Sequence, residues 1–189
     1  MNVKHPLRTH FERFVTVSDA EFERIQQRFK VKHLEKNSNA MLPGDSVNET
    51  FWVEEGLLIS IYNDETGKEH ILQFAIENCW ITDQEAFYNQ TTGSLTIKCL
   101  ENATVWALSF DDRETLCDEL PAMQKFFRKK ANDSFVKQQR RLLTYLTSDA
   151  QQRLRLLMQE YPGLIQRVPK TILAAYLGVS RETLSRFKL

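Results

Sequence analysis

The chain has 189 residues, of which 42% are hydrophobic and 26% charged, and its formal net charge is zero; this is ordinary globular material, long enough to bury one large core or two small ones. No run approaches the roughly 20 apolar residues of a membrane span, and the opening Met1-Asn2-Val3-Lys4-His5-Pro6 lacks the apolar core of a secretory signal, so a cytoplasmic protein without a membrane partner is expected. Cys79, Cys99 and Cys117 are far apart with no Cys-x-x-Cys pair, and the four histidines are scattered, a pattern that argues against a disulfide framework, a zinc site or an iron–sulfur cluster and predicts reduced thiols and no metal.

In chain order, Ser18-Asp19-Ala20-Glu21 is a capping-box signature followed by Phe22, Ile25 and Phe29 at helical spacing, which predicts a short amphipathic helix. From about Val31 to Ser109 the texture turns to strands. Phe51-Trp52-Val53, Leu57 to Tyr62, His70 to Ala75, Leu95 to Leu100 and Thr104 to Leu108 are short and rich in β-formers. Turn residues separate them at Pro43-Gly44-Asp45, Glu55-Gly56 and Asn63 to Lys68. Six or more such strands predict a small antiparallel barrel or sandwich. Asp83 to Tyr88 reads as one or two helical turns.

After Phe110 the pattern is helical. Pro121 suits a first helical position, and nothing breaks the run until about Thr147, which predicts a helix of roughly 26 residues, about 39 Å long. One stripe holds Met123, Phe127, Ala131, Phe135, Leu142 and Tyr145, and a neighbouring one Phe126, Val136, Leu143 and Leu146. One face is expected on the barrel and the other on a second copy of the chain. Ser148-Asp149-Ala150-Gln151 then caps a helix that stops before Pro162-Gly163, and Leu164 to Arg167 connects to the final stretch. The charge is divided at this point: residues 1–120 carry 11 Lys and Arg against 21 Asp and Glu, and residues 121–189 carry 14 against 4. A basic segment of this kind reads as surface that faces phosphate.

The final stretch, Val168 to Leu189, is an apolar helix, a glycine, and a second helix that restarts at Ser180 with arginines along it. A helix, a tight glycine turn and a second helix opening on Arg is a geometry that reads the DNA major groove. Gly178 supplies the left-handed turn, and Ser180 the N-cap and a further place among the expected DNA-binding residues. Arg181, Glu182, Ser185 and Arg186 are expected on the exposed side, with Leu184 turned inward towards Ile172, Ala175 and Val179. Arg181 and Arg186 suit guanine, Glu182 suits cytosine N4, and Ser185 a base edge or phosphate. Lys170 and Thr171, which open the preceding helix, suit phosphate.

A β-rich first half, a long central helix and a terminal helix-turn-helix together resemble the cyclic-AMP receptor protein and fumarate–nitrate regulator (Crp/Fnr) family over nearly the whole chain. Leu177-Gly178-Val179-Ser180-Arg181-Glu182-Thr183-Leu184-Ser185-Arg186 is similar to that family's recognition-helix signature. Phe51 to Gly56, Asp64 to Leu72 and Leu95 to Leu100 look like landmarks of its β-roll. The resemblance implies an α+β protein: an antiparallel β-roll of the cyclic-nucleotide-binding, double-stranded β-helix type over 1–120, a dimerisation helix over 121–147, and an all-α helix-turn-helix domain over 148–189. It implies no enzyme, but a transcriptional regulator that binds double-stranded DNA as a homodimer, with RNA polymerase as a further partner.

The roll departs from the family pattern. Nucleotide-binding members hold the sugar with a Glu and the cyclic phosphate with an Arg. Here Asp83, before Gln84, stands at the acidic position and Gly93, before Ser94, at the Arg position. A buried phosphate without its cation loses the pair that offsets its desolvation, so cyclic AMP is not the expected ligand. Gln138 and Gln139 fall where family members contact the purine. The expected effector site is thus Asp83, Gln84, Gly93, Ser94, Gln138 and Gln139, for an unidentified small molecule, with no resident cofactor. A cysteine cluster for iron–sulfur sensing is missing from residues 1–30, and haem or cupin chemistry lacks ligands, since the barrel offers only His33 and His70. The linker before Val168 leaves little room for a β-hairpin wing, and phosphate contacts are expected to be few. The competing reading is an interaction module of the same fold with little or no DNA binding.

Overall fold

A computed structural model describes residues 5–187. The signal-peptide reading of Met1 to Lys4 and the last two residues of the terminal motif, Lys188 and Leu189, lie outside the described residues. The chain divides into two compact units. One is built from the residues through Ile61 together with Gln73–Asn132, and the other from Tyr62–Leu72 together with the residues from Asp133 onward.

In the first unit, helices α1 (Pro6–Glu12) and α2 (Asp19–Gln27) precede the strands β1 (Phe29–Leu34), β2 (Asn39–Met41), β3 (Glu49–Glu55), β4 (Leu58–Asn63), β5 (Glu69–Ala75) and β6 (Trp80–Ile81). Helix α3 (Gln84–Asn89), strands β7 (Thr96–Cys99) and β8 (Ala103–Ser109), and helix α4 (Phe110–Glu119) follow. The strands form two four-stranded sheets, in the orders β1-β8-β3-β6 and β2-β7-β4-β5. The capping box at Ser18 is present, with Ser18 Oγ accepting from the Glu21 amide and the Glu21 carboxylate accepting in return. Helix α1, which starts on Pro6 and is capped by the His5 ring, was not anticipated, because its seven residues are too few to set a period.

The central strands of the first sheet are covered on both faces. Phe51 pairs with Ala107, Trp52 with Trp106 and Val53 with Val105. By the two-residue period of a strand, Phe51, Val53, Val105 and Ala107 face the interior between the sheets. Trp52, Trp106 and Leu108 face a second core with Leu7, Phe11, Ile25, Leu116, Met123 and Phe126. Double coverage explains why these strands read as continuous apolar runs and not as an alternation.

Helix α5 (Pro121–Thr147) runs 27 residues, as its spacing predicts. Its two stripes are used differently from the expectation. Met123 and Phe126, placed on separate faces from sequence, are both buried in the same aromatic core, where Phe126 meets Phe11 edge-on at 4.7 Å. Phe135, Val136, Leu142, Leu143, Tyr145 and Leu146 are all exposed. A step of three residues is about 300° of helix and keeps 123 and 126 on one side.

The second unit holds the hairpin tip of β4 and β5, the last turns of α5, and helices α6 (Ala150–Glu160), α7 (Leu164–Arg167), α8 (Lys170–Leu177) and α9 (Arg181–Ser185). The cap of α6 is Asp149 with Gln152, one residue later than the sequence suggested, since the Asp carboxylate accepts from the Gln152 amide at 2.8 Å. Leu164 to Arg167 forms a helical turn where a plain connection was expected. The buried side chains of this unit, among the described residues, are Ile71 of the hairpin and Leu154, Leu157, Leu164, Val168, Leu173, Ala174, Leu177 and Leu184 of the helices. Ile172, Ala175 and Val179, expected inside with Leu184, are only half-buried. The buried face of α8 is set by 173, 174 and 177, one step round the helix.

Candidate nucleic-acid interface

Helix α8 ends because Gly178 takes the left-handed conformation, φ 70° and ψ 33°. The Val179 amide then donates to the Ala174 carbonyl at 3.0 Å and the Gly178 amide to Ala175 at 3.3 Å, the two bonds of a Schellman stop. A β-carbon at 178 would lie 3.4 Å from the Tyr145 hydroxyl and would carry a strained backbone. Two residues later the chain restarts as α9. Ser180 Oγ accepts from the Thr183 amide at 3.1 Å, and Leu184 is buried. This fixes the rotation of α9 and leaves Arg181, Glu182, Ser185 and Arg186 exposed.

Each of these groups has a definite chemical state. The Glu182 carboxyl is held below the usual range by its own backbone amide first, then by Ser180 and Arg181, so it is an ionised acceptor. Ser185 Oγ donates to the Arg181 carbonyl at 3.0 Å, which leaves its lone pairs outward. Arg186 sits at the C-cap of α9 with helical dihedrals. Lys170 and Thr171 are the exposed first residues of α8. The seven predicted residues therefore lie on two consecutive helices joined by one turn.

Two arginines of the basic segment are turned inward, which counting charges could not reveal. Arg153 on α6 donates to the carbonyls of Ser148 at 2.8 Å and Leu177 at 3.0 Å, with its guanidinium 4.9 Å over the Tyr145 ring. Arg141 on α5 donates to the carbonyl of Ile71 at 3.2 Å and to that of Leu72, and stacks 4.4 Å over Tyr176. Burial pushes the Tyr176 phenol up. Ser148 and Tyr145 are near Arg153 in the chain, but Leu177 lies 24 residues from it and Ile71 lies 70 residues from Arg141, so no local pattern marks the inward turn.

The residues expected to hold an effector divide between the units. Asp83 is buried and caps α3, with Oδ1 accepting from the Ala86 amide at 3.2 Å. Its Oδ2 accepts from the Ser94 amide at 2.8 Å, the Ser94 hydroxyl at 3.1 Å and the Leu95 amide at 3.2 Å. Burial pushes this carboxyl up, but the four hydrogen bonds outweigh it and bring it below the usual carboxylate range. Gly93 is enclosed beside it, where an added β-carbon would come within 2.9 Å of Val47 Cγ2 and 3.6 Å of Asp83 Oδ2. Gln84 is exposed. Gln138 and Gln139 belong to the second unit, both exposed on α5. The structure brings Asp83, Gly93 and Ser94 together through the chain's own hydrogen bonds. Among the described residues no group of three His, Cys, Asp or Glu is placed to hold a metal, and no helix is long and apolar enough to cross a membrane.

No family model and no curated protein matches the chain. Solved structures of transcription regulators do. The c-di-GMP responsive global regulator CLP of Xanthomonas campestris aligns with a TM-score of 0.72 at 14% identity, covering 90% of this chain and 89% of its own. A transcriptional regulator of the Crp/Fnr family from Eubacterium rectale aligns with a TM-score of 0.68 at 13% identity, over 90% of this chain and 82% of its own. The Thermus thermophilus catabolite activator protein aligns with a TM-score of 0.57 at 19% identity, over the same shares. The chain thus has the fold of Crp/Fnr-type regulators over most of its length, with antiparallel sheets followed by a long helix and short terminal helices.

Proposed function

We propose that the chain is a DNA-binding transcriptional regulator of the Crp/Fnr type. Residues 148–189 are its helix-turn-helix domain, 121–147 its dimerisation helix and 1–120 its sensor roll. The reading is carried by one observation: Gly178 and Ser180 stop and restart the helix so that Arg181, Glu182, Ser185 and Arg186 share the exposed side of α9. Arginine forks there suit guanine O6 and N7, the ionised Glu182 suits cytosine N4, and Lys170 and Thr171 suit the flanking phosphates.

A single five-residue reading helix offers few base contacts, so operator affinity rests on two copies. Phe135, Leu142 and Leu146 are 70%, 58% and 70% exposed. They recur at steps of seven and four, the spacing of a two-helix seam. A second copy of α5 covers them. The homodimer then meets half-sites about one helical turn apart, and RNA polymerase is its further partner at a promoter.

Control through the roll follows a small molecule other than cyclic AMP. The enclosure of Gly93 and the full use of the Asp83 carboxylate by Ala86, Ser94 and Leu95 support this, because the position has neither a cation for a buried phosphate nor a free acceptor for a sugar hydroxyl.

The test is selection of bound fragments from genomic DNA, followed by mobility shifts at several salt concentrations. A shared pseudo-palindrome with half-sites one turn apart is expected. No shift on any fragment at low salt would overturn the DNA reading and leave an interaction module.

A further inference from the structure

The second unit contains a cleft of about 710 Å³ that lies outside the sheet interior and reaches the first residue of α9. Lys68 of the hairpin, Arg141 and Tyr145 of α5, Thr171 of α8, and Ser180 and Arg181 of α9 line it. The volume suits a small molecule, for which a concave site of about 300–1,000 Å³ is usual.

The lining is chemically one-sided. Three permanent cations and four hydroxyls, those of Tyr145, Thr171, Tyr176 and Ser180, meet there against one carboxylate, Glu69. Among the described residues no carboxylate forms an ion pair with Lys68, Arg141 or Arg181. The neighbouring His70 is already bound to Asp64 at 2.7 Å. Arg141 is pre-oriented, half-buried, with its plane stacked on Tyr176 and its edge on two strand carbonyls. The hairpin that carries Lys68 is equally fixed, because the Asp64 carboxylate accepts from the amides of Thr66 at 2.9 Å and Lys68 at 3.1 Å. Converging cations in a concave wall raise the local concentration of anions. The Arg181 fork, the remaining N–H groups of Arg141, an ammonium and hydroxyl donors match the several oxygens of a phosphate better than the two of a carboxylate.

We propose that this cleft binds a small phosphorylated anion, and that the bound anion takes Arg181 and Ser180 away from DNA. The second half rests on the reading of α9 as the DNA-facing helix, and the first half does not. The shape separates the small anion from a DNA backbone: Lys68 and Arg141 stand on the walls of a cleft and not on a convex surface that could follow a duplex.

The test is calorimetric titration of the full chain with pyrophosphate and with inorganic phosphate, at ionic strength held constant with potassium chloride. Saturable binding of one pyrophosphate per chain is expected, tighter than phosphate. Lys68→Ala or Arg181→Ala should weaken it by about tenfold, the effect of one charge-assisted bond. Heats that never saturate, or binding that both variants leave unchanged, would overturn the site. In a parallel mobility shift at the same ionic strength, saturating pyrophosphate should lower wild-type affinity for a selected DNA fragment at least fivefold. At the same pyrophosphate concentration Lys68→Ala, which removes no proposed DNA contact, should show a smaller loss. Pyrophosphate binding with undiminished DNA affinity would overturn the antagonism alone. Pyrophosphate binding by a chain that shifts no DNA would overturn the reading of α9 and leave the cleft standing.

Discussion

Arg153 holds the end of α8, the helix that precedes α9: its Nη2 donates to the Leu177 carbonyl at 3.0 Å, one residue before Gly178. The same fork reaches the Ser148 carbonyl at 2.8 Å, just past the end of α5. One cation therefore satisfies carbonyls at two helix C-termini, where the helix dipole also favours positive charge. Arg153→Ala should destabilise the second unit by about 1–3 kcal/mol. Arg153→Lys should recover only part of this, because a compact ammonium lacks the planar fork. Trp52, Trp80 and Trp106 all lie in the first unit, so urea unfolding followed by tryptophan fluorescence reports that unit and far-UV circular dichroism reports both. A dichroism transition in Arg153→Ala that coincides with wild type would refute the tether.

Much of the architecture was legible because its signals are local. Capping residues, Gly178, Pro121 and the strand runs all act within a few positions, and the elements they predict are present. The misses have a common cause in partners distant along the chain. The inward use of Arg141 and Arg153 depends on Tyr176 and Leu177, and nothing at positions 141 or 153 distinguishes them from the exposed Arg155. Asp83 stands at the family's sugar-binding acidic position in the sequence, but its enclosure by Ser94 and Leu95 depends on a loop eleven residues away. The stripes of α5 failed for a different reason. Periodicity identifies an apolar face but does not say whether the cover is the chain itself, as at Met123, or something else, as at Leu146.

Asp83 should be a stability residue with a definite pH signature. Its folded carboxyl lies below the usual range while the unfolded one is ordinary, near 3.9. The stabilisation is complete above the unfolded value and is lost as pH falls through the folded one. Asp83→Ala should cost about 3 kcal/mol, as four donors lose an acceptor. Asp83→Asn should recover only part of this, because its amide oxygen can take the Oδ2 place but its nitrogen then opposes the Ala86 amide. Urea midpoints at pH 7 and pH 3 check both points. The gap between wild type and variant should narrow in acid, and a constant gap would refute the assignment.

His10 should make the first unit acid-sensitive at a milder pH. Its Nε2 accepts from the Trp80 indole at 3.0 Å, and its ring is enclosed by Phe11, Phe14, Trp52 and Phe126. Burial, then the charges of Lys130 and Arg13, push its pKa down to about 3. The unfolded chain takes up this proton near pH 6.5 and the folded chain resists it, so the stabilisation is whole above 6.5 and drains away as pH falls towards 3. His10→Gln offers Trp80 an acceptor that does not titrate. Between pH 6.5 and 5, above the range of most carboxylates, its urea midpoint should fall less than that of wild type. Parallel profiles would show that His10 is not the group responsible.

Arg186 offers the sharpest separation of base reading from simple attraction. An arginine that pairs with one guanine contributes at one base position, so Arg186→Ala should weaken binding to a selected operator by about 1–3 kcal/mol and relax preference there alone. Lys170 lies at the start of the preceding helix and faces phosphate in this reading. Lys170→Ala should weaken specific and random DNA alike and make the slope of log affinity against log salt shallower by about one for each phosphate no longer neutralised. Both side chains are exposed, so neither change should disturb the fold, and unaltered circular dichroism serves as the control. Competition between the selected operator and a scrambled duplex gives the two specificity ratios directly. If Arg186→Ala lowers affinity for both duplexes by the same factor, Arg186 acts on the backbone, and sequence reading falls to Arg181 and Glu182 at the other end of the helix.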